Sequence, residues 1–386
     1  MKTYLITGGA GFIGANFVKY LLKKNEKIKL VILDKLTYAG NLENIRGNLE
    51  DSRVSFIKGD ICDRDLVENI FQQQKFDYVV NFAAESHVDK SIENPGIFLK
   101  TNIIGTQILL DAAKTQWSLG IDEKGCPVYL EKKKFIQIST DEVYGDLSID
   151  YPYGKKLEAR TKEMRSLLKK KSVKSKTFGK DFFTENTSIN PRSPYAASKA
   201  SADMLVRAYH ETYHMPVNIT RCSNNYGPYQ FPEKLIPLII KNLLEGKEIP
   251  MYGDGRQVRD WLYVEDHCRG IDMVINRGSL GEIYNIGGLN EEQNINITKL
   301  IIDRLYWLIK ENPKYQIALK TNLETIKYDL ITFVNDRLGH DMRYAIDPTK
   351  TVKDLGFYPE TDFSVGIEKT IIWYLKNWSD SCLSVQ

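Results

Sequence analysis

A cluster of four glycines near the start of the chain constrains the fold more than any other feature of the sequence. The segment TGGAGFIG (7–14) follows a short apolar stretch, Tyr4–Thr7, and opens an amphipathic one, Phe12–Lys24. Glycines let such a turn be tight, let a pyrophosphate approach the backbone, and let the helix pack closely on the sheet. This strand–turn–helix context predicts the first unit of a dinucleotide-binding α/β fold.

The same alternation of strand and helix signals continues through the first half of the chain. Near-continuous apolar runs predict buried parallel strands, and the helical patterns between them predict crossover helices. The further predicted strands are Lys29–Asp34, Val54–Asp60, Asp77–Ala84, Phe135–Thr140 and Val217–Arg221. The further predicted helices are Leu66–Gln73, Phe98–Lys114 and Tyr195–Tyr213. We therefore predict an α/β fold with a doubly wound, Rossmann-like parallel sheet.

The length of the chain and its prolines and glycines predict a second, smaller lobe. A chain of 386 residues is too long for one compact core of ordinary size. The strand–helix rhythm breaks near Ser223, where Pro and Gly become frequent. We predict a dinucleotide-binding domain over 1–222, with returning segments near 261–288 and 339–347, and an α/β substrate-binding lobe over most of 223–386.

Composition argues against several classes of protein. No apolar run approaches the ~20 residues of a membrane helix, and the N-terminus runs into a strand rather than a signal peptide. Five scattered cysteines without metal-ligand spacing favour reduced thiols in the cytoplasm. His210 and His214 are spaced i, i+4 but have no third ligand in the sequence, so we predict no metal site.

A basic segment interrupts the second part of the predicted first domain. Residues 151–180 contain 11 Lys and Arg against two acids, and we interpret 146–184 as a partly helical, solvated surface insertion. The alternative is a positive rim that steers a diphosphate substrate toward the cleft. Nucleic acid is not an expected partner, because no aromatic residues lie among the lysines of 155–176.

The segment STDEVYG (139–145) carries residues suited to proton transfer. It begins where the strand Phe135–Thr140 ends, and ligands bind outside the carboxyl ends of strands in such sheets. Asp141 and Glu142 can there move protons on a bound substrate. Consecutive strand residues face opposite sides, so both can act only if the chain turns at Asp141. The alternative is that these acids cap the next turn or a helix.

Tyr195 and Lys199 lie at i, i+4 on one face of a predicted helix. A phenol with a pKa near ~10 is a poor base, and an ammonium at ~4 Å favours the phenolate by roughly 4 kcal/mol. We predict that Lys199 lowers the pKa of Tyr195; the alternative is a packing tyrosine beside a solvated lysine.

Asp34 stands 20 residues after Gly14, at the end of the second predicted strand. A carboxylate there accepts hydrogen bonds from a ribose 2′-hydroxyl and repels a 2′-phosphate, which favours NAD over NADP. Lys35 is the next residue, and its positive charge works against this discrimination.

Nearly the whole chain resembles the extended short-chain dehydrogenase/reductases, and among them the dTDP-glucose 4,6-dehydratase family. The matching segments are TGGAGFIG (7–14), DKLTYAGN (34–41), GDICD (59–63), AAESHVDKSI (83–92), STDEVYGD (139–146), SPYAASKAS (193–201), RCSNNYGPYQFPEKLIP (221–237), RDWLYVEDH (259–267), YNIGG (284–288) and GHDMRYAID (339–347). Two features depart from the family: Leu338 stands where proline is usual, and the insertion is unusually basic.

The resemblance implies a tightly bound NAD, regenerated each turnover, and loss of water from a nucleoside-diphosphate sugar. Tyr195 would take the proton of the sugar C4 hydroxyl while Thr140 hydrogen-bonds it. Glu142 would remove the C5 proton, and Asp141 would protonate the departing C6 hydroxyl, leaving a 4-keto-6-deoxy sugar. The family is often dimeric through helices corresponding to Phe98–Lys114 and Tyr195–Tyr213, so we expect a cytoplasmic homodimer.

The resemblance also implies three groups of site residues. The catalytic group is Thr140, Asp141, Glu142, Tyr195 and Lys199. The NAD group is Gly8, Gly11, Phe12, Ile13, Gly14, Asp34, Lys35, Thr37, Asp60, Ile61, Phe82, Ala83, Ala84, Thr101, Tyr195, Lys199 and Asn225. The sugar-nucleotide group is Ser86, Thr140, Asn224, Lys234, Leu235, Pro250, Met251, Tyr252, Arg259, Asn285, Asp336, Arg337 and His340.

Three alternatives remain open from the sequence. The first two are 4,6-dehydration of UDP-glucose and 4-epimerization of a sugar nucleotide, and epimerization has no use for an adjacent Asp–Glu pair. The third is a non-catalytic NAD-sensing protein, which can lose the Tyr or Lys that this chain retains.

Overall fold

The computed structural model describes residues 1–149, 155–156, 162–170 and 176–378. The strands in chain order are β1 (Lys2–Thr7), β2 (Ile28–Asp34), β3 (Val54–Lys58), β4 (Tyr78–Asn81), β5 (Ser118–Ile121), β6 (Pro127–Tyr129), β7 (Lys134–Thr140), β8 (Lys155–Lys156), β9 (Lys176–Thr177), β10 (Val217–Cys222), β11 (Asn224–Tyr226), β12 (Ile249–Tyr252), β13 (Val258–Tyr263), β14 (Ile283–Ile286), β15 (Glu291–Gln293) and β16 (Ile331–Val334). The helices are α1 (Phe12–Lys24), α2 (Arg64–Gln73), α3 (Val88–Glu93), α4 (Pro95–Phe98), α5 (Thr106–Trp117), α6 (Lys162–Lys170), α7 (Pro194–Tyr213), α8 (Leu235–Glu245), α9 (Val264–Arg277), α10 (Asn294–Glu311), α11 (Thr349–Leu355) and α12 (Phe363–Asn377).

Seven of the described strands form one parallel sheet in the order β14-β10-β7-β4-β1-β2-β3. Strands β2 and then β3 follow β1 on one side of the sheet, whereas β7, β10 and then β14 follow β4 on the other side. The switch between these directions leaves a crevice outside the carboxyl ends of β1 and β4, where ligands of such folds bind. The predicted doubly wound fold is confirmed.

Two predicted elements are wrong in their extent. The strand predicted over Asp77–Ala84 ends at Asn81, because the Ala83 backbone N–H donates to the Thr7 hydroxyl, 3.3 Å away, as the chain leaves the sheet. The helix predicted over Phe98–Lys114 is interrupted by a π-helical segment, Leu99–Gly105. There the Asn102 side chain bonds both the backbone of Glu85 and the Ser198 hydroxyl, so tertiary contacts accompany the wider turn.

Separate clusters of buried apolar residues support the proposed division into two lobes. One cluster packs α1 and α9 on the main sheet, and a second lies on the other face among α2, α5 and α7. A third cluster is built by α8, β13, α10 and α12. Leu355 and Phe357 pack in the first cluster, so the last return to the sheet extends beyond the proposed segment 339–347.

The basic insertion predicted over 146–184 lies largely outside the described residues. Its described helix, α6, buries Met164 and Leu168 against Leu289, with Val352 packed beside them. Lys162 and Lys169 of the same helix are exposed. Across the described ranges, no helix combines the length and the apolar character that crossing a membrane requires.

Candidate active site

A cleft runs along the carboxyl edge of the main sheet, at the switch between β1 and β4. It is lined by the complete predicted NAD group, from Gly8 after β1 to Asn225 in β11. Thr140, Glu142, Tyr195 and Lys199 line it as well. The fold therefore brings most of the residues chosen from the sequence to one surface.

The glycine turn forms a close-fitting floor for part of this cleft. A Cβ atom on Gly14 would lie 2.3 Å from the Gly8 carbonyl oxygen, so the turn tolerates no side chain there. Helix α1 begins at Phe12 without a side-chain cap from the described residues, so its first backbone N–H groups remain available to an anion. This arrangement fits the pyrophosphate of a dinucleotide.

Asp34 and Lys35 occupy the positions expected for ribose recognition. The Asp34 carboxylate accepts backbone hydrogen bonds from Ala10 at 2.9 Å and Leu36 at 2.8 Å, which orient it toward the turn. Burial raises the pKa of Asp34, and the two backbone N–H groups oppose that rise. Lys35 lies 2.8 Å from Asp60, so its charge is compensated and does not offer a free cation to a 2′-phosphate.

The chain turns at Asp141, as the joint action of two neighbouring acids requires. Strand β7 ends at Thr140, and a 3₁₀ turn covers Asp141–Tyr144. The Thr140 hydroxyl accepts a hydrogen bond from the Glu142 N–H at 3.3 Å, so the cap of this turn is the threonine rather than either acid. Gly145 ends the turn at φ +91°, where a Cβ would lie 2.5 Å from the Asn190 carbonyl oxygen.

Asp141 is 1% exposed and lies beside the cleft-lining residues Thr140 and Glu142. Its Oδ1 accepts a hydrogen bond from the Thr140 hydroxyl at 3.3 Å, while Oδ2 has no partner within the described residues. Burial, followed by the charges of Glu142 and Asp260, raises the pKa of Asp141 well above its usual value. The group is therefore suited to carry a proton at neutral pH.

Glu142 is in a different electrostatic environment from its neighbour. Burial raises the pKa of Glu142, but Arg337, Lys234 and Arg259 act against this rise. Three cations thus favour its carboxylate form, whereas mainly acids surround Asp141. Burial thus raises the pKa of both carboxyl groups, and neighbouring cations oppose that rise mainly at Glu142.

The predicted lowering of the Tyr195 pKa is wrong for this structure. The Lys199 ammonium donates to the Ile138 carbonyl at 2.6 Å. Burial, then Glu142 and Cys222, raises the pKa of Tyr195 well above its usual value, and burial lowers the pKa of Lys199. The sequence argument counted the attraction between the pair but not the cost of burying a phenolate near a carboxylate.

Part of the predicted sugar-nucleotide group meets at the cleft. Ser86, Asn224 and Lys234 line it, and the Lys234 ammonium donates to the Ser86 carbonyl at 2.8 Å. The Asn224 side-chain oxygen is buried and lacks a partner among the described residues, which suits a ligand contact. Leu235 follows as the first residue of α8.

A second part of this group surrounds the loop that carries Arg337. The Arg337 guanidinium lies 3.8 Å from Asp89, and its buried Nε has no partner in the described ranges. His340 lies 2.6 Å from Asp336, and burial lowers its pKa to about 4. The Tyr252 hydroxyl lies 3.4 Å from Asp89, and its strand β12 also contains Pro250 and the buried Met251.

Two predicted sugar-nucleotide contacts are engaged elsewhere. Asn285 is fully buried, where it accepts a hydrogen bond from the Tyr144 hydroxyl at 2.8 Å and donates to the Phe183 carbonyl at 3.0 Å. The Arg259 guanidinium donates to the carbonyls of Val258 and Asp341, each at 2.8 Å. Family motifs predict these residues at the site, but hydrogen bonds to other protein atoms occupy the polar atoms of both.

Sequence reasoning missed several residues that line the cleft. They are acidic, amide, aromatic or thiol side chains within the matching segments: Glu85, Cys222, Gln230, Phe231 and Glu233. Glu85 and Glu233 could have been predicted from the sequence, because both are ionisable residues within long segments that match the family. No cluster of three or more His, Cys, Asp or Glu in the described part of the chain is arranged to hold a metal ion.

Comparison with known proteins gives consistent matches. Residues 4–287 match the NAD dependent epimerase/dehydratase family. A dTDP-glucose 4,6-dehydratase of Shigella flexneri is 47% identical over 97% of this chain and 92% of its own length. The dTDP-glucose 4,6-dehydratase of Bacillus anthracis, solved in complex with NAD, is 40% identical with a TM-score of 0.76, covering 98% of this chain and 97% of its own. The corresponding Streptomyces venezuelae structure, with NAD bound, is 38% identical with a TM-score of 0.78 over 98% of this chain and 99% of its own.

Proposed function

The chain belongs to the NAD dependent epimerase/dehydratase family, and on this premise we propose that it is a dTDP-glucose 4,6-dehydratase. It converts dTDP-glucose to dTDP-4-keto-6-deoxyglucose with loss of water. One observation carries the choice of reaction: two adjacent carboxyl groups, Asp141 and Glu142, share the turn beside the cleft, and three cations oppose the burial-driven rise in pKa at Glu142 whereas neighbouring acids add to it at Asp141. Elimination needs an acid and a base at C6 and C5 in addition to the base at the C4 hydroxyl, whereas epimerization at C4 needs only the last of these.

The cofactor is NAD. The glycine turn, the N-terminus of α1 and Asp34 would hold it, and when bound it supplies a hydride acceptor at C4 and a hydride donor at C6 of the sugar. Because the hydride returns to the same substrate, the cofactor is regenerated in each turnover.

Proton removal from the C4 hydroxyl falls to Tyr195. Its phenol lines the cleft, and the Thr140 hydroxyl at the end of β7 is positioned to hydrogen-bond the same substrate oxygen. A 9% exposed phenol needs a nearby positive charge to give up its proton, and Lys199 on the next helical turn carries one.

Elimination follows from the new C4 ketone, which acidifies the C5 proton. The Glu142 carboxylate takes that proton while the Asp141 carboxylic acid donates its own to the C6 hydroxyl. The C6–O bond breaks, water leaves, and a C5–C6 double bond forms. Lys234 and Arg337 flank Glu142 and would bind the diphosphate of the substrate, since ammonium and guanidinium groups pair well with phosphates.

The same proposal includes a cytoplasmic homodimer. Large apolar side chains are exposed on the π-helical segment and its neighbours, namely Ile97, Leu99, Ile104 and Met204. The last of these lies on α7, which packs on the π-helical segment. Burying this apolar surface against a second copy would remove it from water. Sedimentation velocity at micromolar concentration measures the assembly, and a monomer there would contradict this part.

Product analysis tests the proposed reaction. Purified protein is incubated separately with dTDP-glucose and UDP-glucose, and the products are identified by NMR. We expect a 4-keto-6-deoxy sugar from dTDP-glucose. A galactose product would mean epimerization, and faster turnover of UDP-glucose would mean the uracil nucleotide is the substrate.

A further inference from the structure

A fully buried ion pair lies behind the catalytic residues. The Arg221 guanidinium on β10 lies 2.9 Å from the Asp203 carboxylate on α7, and their side chains are 1% and 0% exposed. The Ser139 hydroxyl on β7 donates to the same Asp203 oxygen at 2.9 Å. One carboxylate oxygen thus joins two central strands to a helix.

These three elements carry the reactive groups of the cleft. Asp203 lies one helical turn after Lys199 and two turns after Tyr195 on the same helix. Ser139 directly precedes Thr140, the last residue of β7. The Asp203 contact therefore ties the helix that carries the phenol to the strand that leads into the acid pair.

The geometry of the pair is incomplete for a purely structural bridge. Only Nε of Arg221 meets the carboxylate, and Arg221 Nη2 and Asp203 Oδ1 are buried without a hydrogen-bond partner within the described ranges. A bidentate pair would satisfy all of these atoms. Replacing buried ion pairs by apolar residues is often neutral or stabilising, so fold stability alone explains this one poorly.

The charged and titratable groups that act on Lys199 are Asp203 on its own helix and Cys222 on β10. Arg221 on β10 pairs with Asp203, and Asp141 and Glu142 from the turn after β7 act on Tyr195, one helical turn before Lys199. Burial lowers the pKa of Lys199, and Asp203 is the first group that opposes this change.

We propose that Asp203 is a positioning residue of this active site, whose buried carboxylate keeps Lys199 in its ammonium form beside Tyr195. The proposal rests on the proposed function for the role of Tyr195 as base. Arg221 and Ser139 fix the orientation of the carboxylate, and the charge of Asp203 compensates the ammonium in a site closed to water.

The pH dependence of turnover distinguishes this role from simple anchoring. In Asp203→Asn the Lys199 ammonium loses its compensating charge, so it should deprotonate at lower pH and activity should fall earlier on the alkaline side. We expect the alkaline limb of kcat to move down by about one pH unit, with Asp203→Glu restoring it. Glu291→Gln is the matched control, because Glu291 and Arg343 form a second ion pair with 0% exposure on both sides. That variant should lose stability without moving the limb.

The proposal is overturned if the alkaline limb of kcat in Asp203→Asn lies at the wild-type pH. It is also overturned if Glu291→Gln moves that limb by the same amount as Asp203→Asn. If Asp203→Asn does not fold, Ser139→Ala removes the hydroxyl that orients the Asp203 carboxylate; a smaller downward shift of the limb in this variant supports the proposal, and an unmoved limb overturns it. Lysine labelled with ¹³C at Cε gives a readout without substrate in the NAD-loaded enzyme, with the Lys199 signal assigned by its loss in Lys199→Arg. A Lys199 titration midpoint about one unit lower in the Asp203 variant supports the proposal even if the sugar product is not the expected one. An unchanged midpoint refutes it whatever the product.

Discussion

The cofactor side and the sugar side of the cleft are built by different means. On the cofactor side, all of the residues chosen from the sequence line the cleft, and the fit depends on backbone: the glycine turn, the start of α1 and the two N–H groups that hold Asp34. On the sugar side, side chains from distant segments converge, and two of the expected ones, Arg259 and Asn285, are engaged with protein atoms instead.

This difference shows which kind of change each side tolerates. A backbone cradle is sensitive to an added methyl group and indifferent to distant charges. A cluster of ionisable side chains is sensitive to a single neutralised charge that leaves its shape unaltered. Changes of these two kinds should therefore separate cofactor binding from chemistry.

The largest effect is expected from neutralising the base. Glu142→Gln keeps the shape of the side chain but removes its ability to accept the C5 proton, so kcat should fall by ~10²–10⁴-fold with the bound NAD content unchanged. Exchange of the C5 hydrogen for deuterium should stop, as followed by NMR. Glu93→Gln, at an exposed position of α3, is the control. Normal turnover by Glu142→Gln would mean that the base is misassigned.

A change of the other kind, a methyl group added to the glycine turn, should weaken binding of the cofactor. In Gly14→Ala the new Cβ would lie 2.3 Å from the Gly8 carbonyl oxygen, so the turn must open and NAD affinity should fall by about 100-fold. The amount of NAD released from the denatured protein measures this. Gly47→Ala is the control, since a Cβ there meets no described atom within 4 Å. Full NAD occupancy in Gly14→Ala would show that the cofactor side does not depend on the shape of the glycine backbone, which contradicts the contrast between the two sides of the cleft.

A histidine on the cofactor side should make stability depend on pH. His267 is fully buried beside Asn225, and burial lowers its pKa to about 3. Between that value and the ordinary value near 6.5 the unfolded chain binds the extra proton, so the contribution is fully present above pH 6.5 and is lost as pH falls. It amounts to about 2 kcal/mol between pH 7 and pH 5. Urea unfolding at both pH values should show this loss in the wild type and a smaller one in His267→Gln; equal losses would exclude His267 as the source.

The smallest effect is expected from the substrate loop. In Arg337→Gln one cation facing Glu142 and the substrate phosphates is lost, so kcat/KM for dTDP-glucose should fall by about 10-fold, mainly through KM, with NAD content unchanged. Steady-state kinetics measure it against Arg46→Gln, an exposed arginine paired only with Glu43 among the described residues. An equal change in both variants would show that Arg337 has no specific contact with the substrate.

Local patterns in the sequence determined the alternation of strands and helices and the dinucleotide turn, and they supplied the predicted reactive residues. Six of the seven strands of the main sheet and helices α1 and α7 were predicted to within a few residues, because apolar periodicity and glycine placement act over short distances along the chain; β14 was not predicted as a strand. The turn at Asp141 was stated as a requirement, and the structure contains it.

Only the tertiary structure decided how charges and polar atoms are shared among distant segments. It raised the pKa of Tyr195 rather than lowering it, committed Asn285 to Tyr144 and Phe183, and buried Asp203 between Arg221 and Ser139. The physical reason is that desolvation and hydrogen bonding depend on which atoms surround a group in space. Residue spacing along the chain carries little of that information, since these partners lie tens to more than a hundred positions apart.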